Sequence, residues 1–229
     1  MSAPAVLRFE AARLAIDLTG AAGLEIDAEL APGEIWLVET ETPAHDRALA
    51  DAALGLRPPL AGAVRFRDHD WRTVPLAFRD ALRGRCGLIA RETAFVPHAS
   101  MTENILAPRR FHDRTPDAEL VAQATRLSRR FGLPGLPSGD PAAESAAARL
   151  GAACVRAFLG EPLLVVVEAR AQPWRRELVA PLVSSMQEVR DRGGAVLWSL
   201  ADDPLLDDAS LPVTGHFRLR GRRFEAAAG

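Results

Sequence analysis

The chain has 229 residues, 48% of them hydrophobic and 25% charged, which predicts one α/β domain, or one with a small helical lobe, around an ample core. Its 28 basic and 30 acidic residues nearly cancel to a net charge of -2, which argues against a general nucleic-acid binder or a polybasic membrane binder, since both need surplus positive charge. No apolar run approaches bilayer length, the start MSAPAVLRFEAARL lacks a signal-peptide core, and Cys86 and Cys154 can build neither a disulfide framework nor a zinc site. Every basic residue is arginine. Without lysine the chain has no Schiff base, no lysine general base and no lysine to neutralise a phosphate.

Residues 6–10 (VLRFE) and 14–18 (LAIDL) alternate apolar and polar, predicting two half-buried strands, and residues 24–30 (LEIDAEL) predict a third. Pro32-Gly33 marks a turn, after which the unbroken run Ile35-Trp36-Leu37-Val38 predicts a buried strand. Residues 47–54 (RALADAAL) predict a helix ended by Gly55. A strand at 62–66, an amphipathic segment at 74–83 and a short strand at 86–90 follow. In the middle third, Pro116-Asp117 opens a helix to about Phe131, with Leu120, Val121, Ala124, Leu127 and Phe131 at helical spacing. After a Pro, Gly and Ser loop at 132–141, residues 144–159 predict an alanine-rich helix and 163–167 the strongest buried strand. A helix at 177–192, a strand at 195–200 and a terminal hairpin through 217–219 and 222–225 complete a mixed α/β pattern without repeats or long linkers.

The order of these segments resembles the ATP-binding subunit of an ABC transporter from about Leu7 to Phe224. Pro32-Gly33-Glu34-Ile35 is similar to the PGE segment leading into the family's P-loop strand. Leu54-Gly55-Leu56-Arg57-Pro58 with Gly62-Ala63-Val64-Arg65-Phe66 resembles the GLxxPxxGxVxF stretch, and LRGRCGLI at 82–89 the LRxxxGxV strand before the Q-loop. Ser100-Met101-Thr102-Glu103-Asn104-Ile105 resembles the TVxENI helix start, and Arg156-Ala157-Phe158 with Pro162 and its apolar strand resembles ARAL…P-LLLLDEP. The resemblance implies one domain over residues 1–229: a P-loop NTPase-like ABC ATPase core (about 1–92 and 160–229) with an antiparallel β subdomain and an inserted helical subdomain (about 93–159).

The residues that carry the family's chemistry are replaced. A P-loop wraps phosphates in glycine N–H groups while lysine offsets charge and Ser/Thr holds magnesium. Here Glu39-Thr40-Glu41-Thr42-Pro43-Ala44-His45-Asp46-Arg47 follows the strand, without glycine, and the lysine position falls at His45 or Asp46. Where the family has Asp-Glu to order magnesium and polarise water, Val167 is followed by Glu168 and Ala169. The Q-loop glutamine aligns with Arg91, the signature motif keeps only Ser145, the histidine switch aligns with Ala201, the D-loop aspartate with Arg175, and residues 15–22 lack an adenine-stacking aromatic. Ser145 reads as a helix N-cap rather than a nucleophile, and Asp68-His69-Asp70 as a solvated turn rather than a metal site.

The resemblance therefore implies a pseudo-ATPase with no catalytic residues, no nucleotide or other cofactor, and no metal. It would be a structural or regulatory subunit peripheral on the cytoplasmic face of the inner membrane. Its partners would be an integral membrane permease, met through Arg91, Phe95, Val96, Pro97 and Met101, and an active ABC ATPase or a second copy, with no nucleic acid. The segment 203–220, with its SLPVTG turn, resembles ATPases of lipid-transporting envelope systems. The alternative is a divergent NTP-binding or NTP-hydrolysing enzyme in which Arg47, Arg91 and Arg170 replace the lysine.

Overall fold

The alternating first segments fold as an antiparallel hairpin, β1 (Leu7–Ala15) with β2 (Gly23–Leu30), in a computed structural model that describes residues 4–17, 23–90, 95–112, 114–168, 176–201 and 211–227. The two strands predicted at 6–10 and 14–18 are one strand ending at Ala15. A bulge between Phe9 and Ala12 shifts its register, with Ala11 at φ 42° and its N–H donating to Asp27 Oδ1 at 3.0 Å. The extra residue reverses the inside–outside phase, so one bulged strand carries two separate alternations.

Beyond the Pro32-Gly33 turn lie β3 (Ile35–Thr40) and α1 (Pro43–Ala53). Then come β4 (Ala61–Phe66), β5 (His69–Asp70), α2 (Leu76–Arg83) and β6 (Cys86–Ile89). Arg67 and Asp68 have positive φ (50° and 66°), the twist a two-residue hairpin turn requires, so the expected solvated turn is the end of a β4–β5 hairpin. The middle of the chain is helical: α3 (Met101–His112), α4 (Asp117–Arg130) and α5 (Ala146–Phe158). The last elements are β7 (Leu164–Glu168), α6 (Arg176–Asp191), β8 (Ala195–Leu200), β9 (Gly215–Arg220) and β10 (Arg223–Ala226).

Among the described residues the strands form one ten-stranded sheet in the order β5-β4-β1-β2-β10-β9-β3-β8-β7-β6. β9, β3, β8, β7 and β6 run parallel, whereas β1, β2, β4 and β5 are antiparallel. Both faces of the parallel part are covered, which explains its unbroken apolar runs. Ile35, Leu37, Val165, Val167 and Trp198 point into a core shared with α3 to α6. Trp36, Val38, Leu164, Val166 and Leu197 point the other way, against α1 and the antiparallel strands. Both cysteines belong to this packing. Cys154 is buried, and the half-buried Cys86 donates its S–H to the Leu82 carbonyl at 3.6 Å. Burial pushes the Cys86 thiol up to about 12 despite the opposing pull of Arg109, Arg83 and Arg85, and burial also raises that of Cys154. Among the described residues no helix is long and apolar enough to cross a membrane.

Candidate functional site

The parallel strands β3, β8 and β7 end on one edge of the sheet, where ligands bind in open α/β folds. Register places Val38, Ser199 and Glu168 in one row there. β3 continues to Thr40 and α1 begins at Pro43, so the turn joining them is only Glu41 and Thr42. The expected loop after Val38 is thus divided between a longer strand and an earlier helix. Thr42 is the N-cap, and Pro43 stands at the first helical position, where a missing N–H costs nothing.

The polar groups of this turn bind one another. The Thr42 hydroxyl accepts from the His45 backbone N–H at 3.3 Å and lies 3.0 Å from His45 Nδ1. His45 Nε2 meets the Gly221 carbonyl oxygen at 2.9 Å, which makes Nε2 the donor and leaves Nδ1 to accept from Thr42. Thr40 Oγ1 donates to Asp46 Oδ1 at 2.5 Å and lies 3.1 Å from the Leu200 carbonyl. Thr40, His45 and Asp46 are all buried.

The terminal hairpin closes over this arrangement. The Gly221 N–H donates to Glu41 Oε2 at 2.7 Å, and Glu39 accepts from Arg218 (2.6 Å) and Arg220 (3.2 Å). Burial opposes the charge on Glu39, but these two guanidiniums outweigh it and hold its carboxyl below the usual range. The pairing of β9 and β10 with this turn was not legible in the sequence, because hairpin and turn lie some 180 residues apart.

The other expected positions are distributed as follows. Glu168 is buried at the end of β7, and Ala201 directly follows β8 with only a methyl group to offer. Ser145 caps α5, its hydroxyl accepting from the Ala148 N–H at 3.1 Å. Ala44 lies in the first turn of α1. Arg47 pairs with Asp51 along α1 at 2.8 Å. Arg91, Ala169, Arg170, Arg175 and the segment 202–210 lie outside the described residues. Among the described residues no group of three His, Cys, Asp or Glu is placed to hold a metal ion.

A second feature is an apolar groove of about 330 Å³ beside the edge strand β6, lined by Leu54, Leu56, Leu88, Pro108, His112 and Arg156 among others. Leu56 on its rim is 50% exposed. Arg156 joins the groove to the segment before α3, its guanidinium standing 4.9 Å from the centre of the Phe95 ring. Val96 is 61% exposed and Pro97 is exposed, while Phe95 is half-buried against the core. Met101 is fully buried, which corrects the expectation that it contacts a partner: α3 turns it into the core with Ile105. Asn104, missed in the sequence as a functional residue, fixes this segment. It accepts the Val96 N–H at 2.6 Å, and the two hydrogens of its NH2 group are shared among the carbonyls of Val96, Ala99 and Ser100 at 3.0–3.1 Å.

Comparison with known proteins defines the fold. The structure superposes on an ATP-binding subunit of an ABC transporter with TM-score 0.78 at 20% identity, over 96% of this chain and 90% of the other. It also superposes on a dimeric bacterial ABC transporter cassette with TM-score 0.80 at 14% identity, over 97% and 99%. A third match is cbiO1 from Clostridium perfringens, part of an ABC transporter complex, with TM-score 0.72 at 14% identity over 96% and 87%. The fold is that of an ABC nucleotide-binding domain. In sequence, 136 residues are 24% identical to the arginine transport ATP-binding protein ArgV of Corynebacterium glutamicum, covering 58% of this chain and 54% of that protein. The chain thus aligns with about half the length of this curated relative. No family model matches the chain.

Proposed function

We propose that the chain is a catalytically inactive, ATPase-like subunit of an ABC transport complex. The observation that carries this reading is the two-residue β3–α1 turn, whose polar groups are already bound to one another and to the terminal hairpin. A triphosphate needs several free N–H groups in a wide loop and a cation beside them. This turn offers neither. An incoming anion would meet Glu39, Glu41 and Asp46 at close range, and Arg218 and Arg220 are committed to Glu39. The residues present do not fit a magnesium–nucleotide complex, so no hydrolytic step is assigned to them.

Thermal unfolding with MgATP tests this. A ligand at a hundred times its Kd stabilises by about 2.7 kcal/mol, whereas this chain is expected to show no shift from the β3–α1 site. A shift that survives charge-neutralising changes elsewhere, or turnover lost on Glu168→Gln, overturns the reading.

What remains of the family's work is docking. The groove beside β6, with Leu56 exposed on its rim and Val96 and Pro97 displayed by Asn104, is the surface assigned to an integral membrane permease, with the chain peripheral on the cytoplasmic side of the cell membrane. An active ABC ATPase or a second copy of this chain would be its soluble partner, and an inserted helical subdomain of about 93–159 would carry α3, α4 and α5. A complex purified from its source is expected to contain a polytopic membrane protein. Leu56→Asp and Phe95→Asp should each release that protein while leaving the folded chain behind; full retention by Leu56→Asp removes the groove assignment.

A further inference from the structure

We propose that a second, separate cleft between α4 and α6 binds a small oxyanion carrying two or more charges, of the kind found in a phosphorylated or polycarboxylated metabolite. The cleft has a volume of about 270 Å³ and shares no residue with the β3–α1 turn or with the groove beside β6. Arg126 and Arg130 stand one turn apart on α4, and Arg192 lies just past the end of α6. Phe158 and Leu127 add an apolar wall.

The three guanidiniums are not equivalent. Arg130 is already held, 2.8 Å from Glu188 Oε2 and 3.5 Å from the Ser185 hydroxyl. Arg126 and Arg192 make no side-chain hydrogen bond or ion pair among the described residues. With Glu188 committed to Arg130, the two unpaired guanidiniums share the cleft with one remaining carboxylate, the exposed Glu161. Like charges at i, i+4 repel along a helix, a repulsion that the Arg130–Glu188 pair reduces and an anion beside Arg126 would relieve further. The planar fork of arginine matches the paired oxygens of phosphate and carboxylate. The two free guanidiniums outnumber Glu161, so the cleft is net positive, and an ion with several charged oxygens offers each fork its own oxygen pair. The volume admits an ion larger than inorganic phosphate, and the wall of Phe158 and Leu127 seats its carbon portion.

Titration calorimetry with sodium pyrophosphate and with citrate, at ionic strength held constant with NaCl, tests the site. One binding event is expected with at least one of the two anions. A preference for pyrophosphate identifies a phosphate ester as the natural ligand class, and a preference for citrate a polycarboxylate. Losing each charged fork should weaken binding by about tenfold, so Arg126→Gln and Arg192→Gln together should abolish the measurable heat. Arg222→Gln with Arg223→Gln, two exposed changes on the terminal hairpin, should leave it unaltered. Arg192→Gln alone serves if the double variant does not fold. Absence of binding by both anions, or equal weakening by the hairpin pair, overturns the proposal. The same variants separate this site from the inactive-ATPase reading. A MgATP shift that vanishes with Arg126→Gln and Arg192→Gln belongs to this cleft; one that persists counts against the reading of the β3–α1 turn.

Discussion

Gly87→Ala is expected to destabilise the protein by about 3 kcal/mol, at the upper end of overpacking costs. The methyl group would lie 2.1 Å from the carbonyl oxygen of Ala157 and 2.9 Å from its carbon, both of them backbone atoms. A flexible side chain could swing away from such a contact, but here α5 must move as a body off β6. That strains the packing of Val155 and Phe158, both buried in the shared core. For a chain of this size the midpoint of thermal unfolding should fall by roughly 6–12 °C. Gly132→Ala is the comparison. Its φ is +77° but no atom lies within 4 Å of the added methyl group, so it incurs only the left-handed backbone cost of about 1–2 kcal/mol. Equal or smaller damage at Gly87 would mean that α5 and β6 are not in close backbone contact.

Asn104 carries the second large effect. Its carboxamide accepts one N–H and shares its two N–H hydrogens among three carbonyls of the segment just before α3, while buried to 5% exposure. Asn104→Ala leaves those groups without partners in a site water reaches poorly, at a cost of about 2–4 kcal/mol. Asn104→Asp is expected to do at least as much harm despite its matching shape. It retains the acceptor for Val96 but turns a carboxylate toward carbonyl oxygens. Denaturant unfolding measures both. If the Asp variant proves as stable as the parent, the donor half of the carboxamide contributes nothing. Either change should also weaken capture of the proposed membrane partner, because Val96 and Pro97 lose the clamp that displays them.

Much of the architecture could be read from periodicity. The runs at 35–38 and 163–167 are apolar on both faces because they lie between two covered layers, and they appear as β3, two residues longer, and β7, shifted by one. The helix from 117 appears as α4 because its apolar stripe keeps helical spacing. Periodicity failed in three places, each for a local reason. The bulge at Ala11 split one strand into two patterns. Thr42 with Pro43 starts α1 four residues before the predicted start at Arg47, since a cap and a proline carry no hydrophobic period. α3 was carried only by the family resemblance, because its polar face and Pro108 mask its buried residues Met101, Ile105 and Leu106.

The candidate site divides in the same way. Sequence alone determined which groups are present: no lysine anywhere, no glycine from Glu39 to Arg47, Ala169 and Ala201 where the resemblance places a catalytic carboxylate and a histidine. These are matters of composition and order, and folding cannot add a missing functional group. Tertiary structure alone decided what the remaining groups do. Only the fold brings Gly221 to Glu41 and His45, seats Asp46 against Thr40, removes Met101 from the surface, and sets Arg126 and Arg192 around one cleft. Such contacts join residues far apart in the chain, and their energies depend on distances of a few ångströms that no local pattern of residue types encodes.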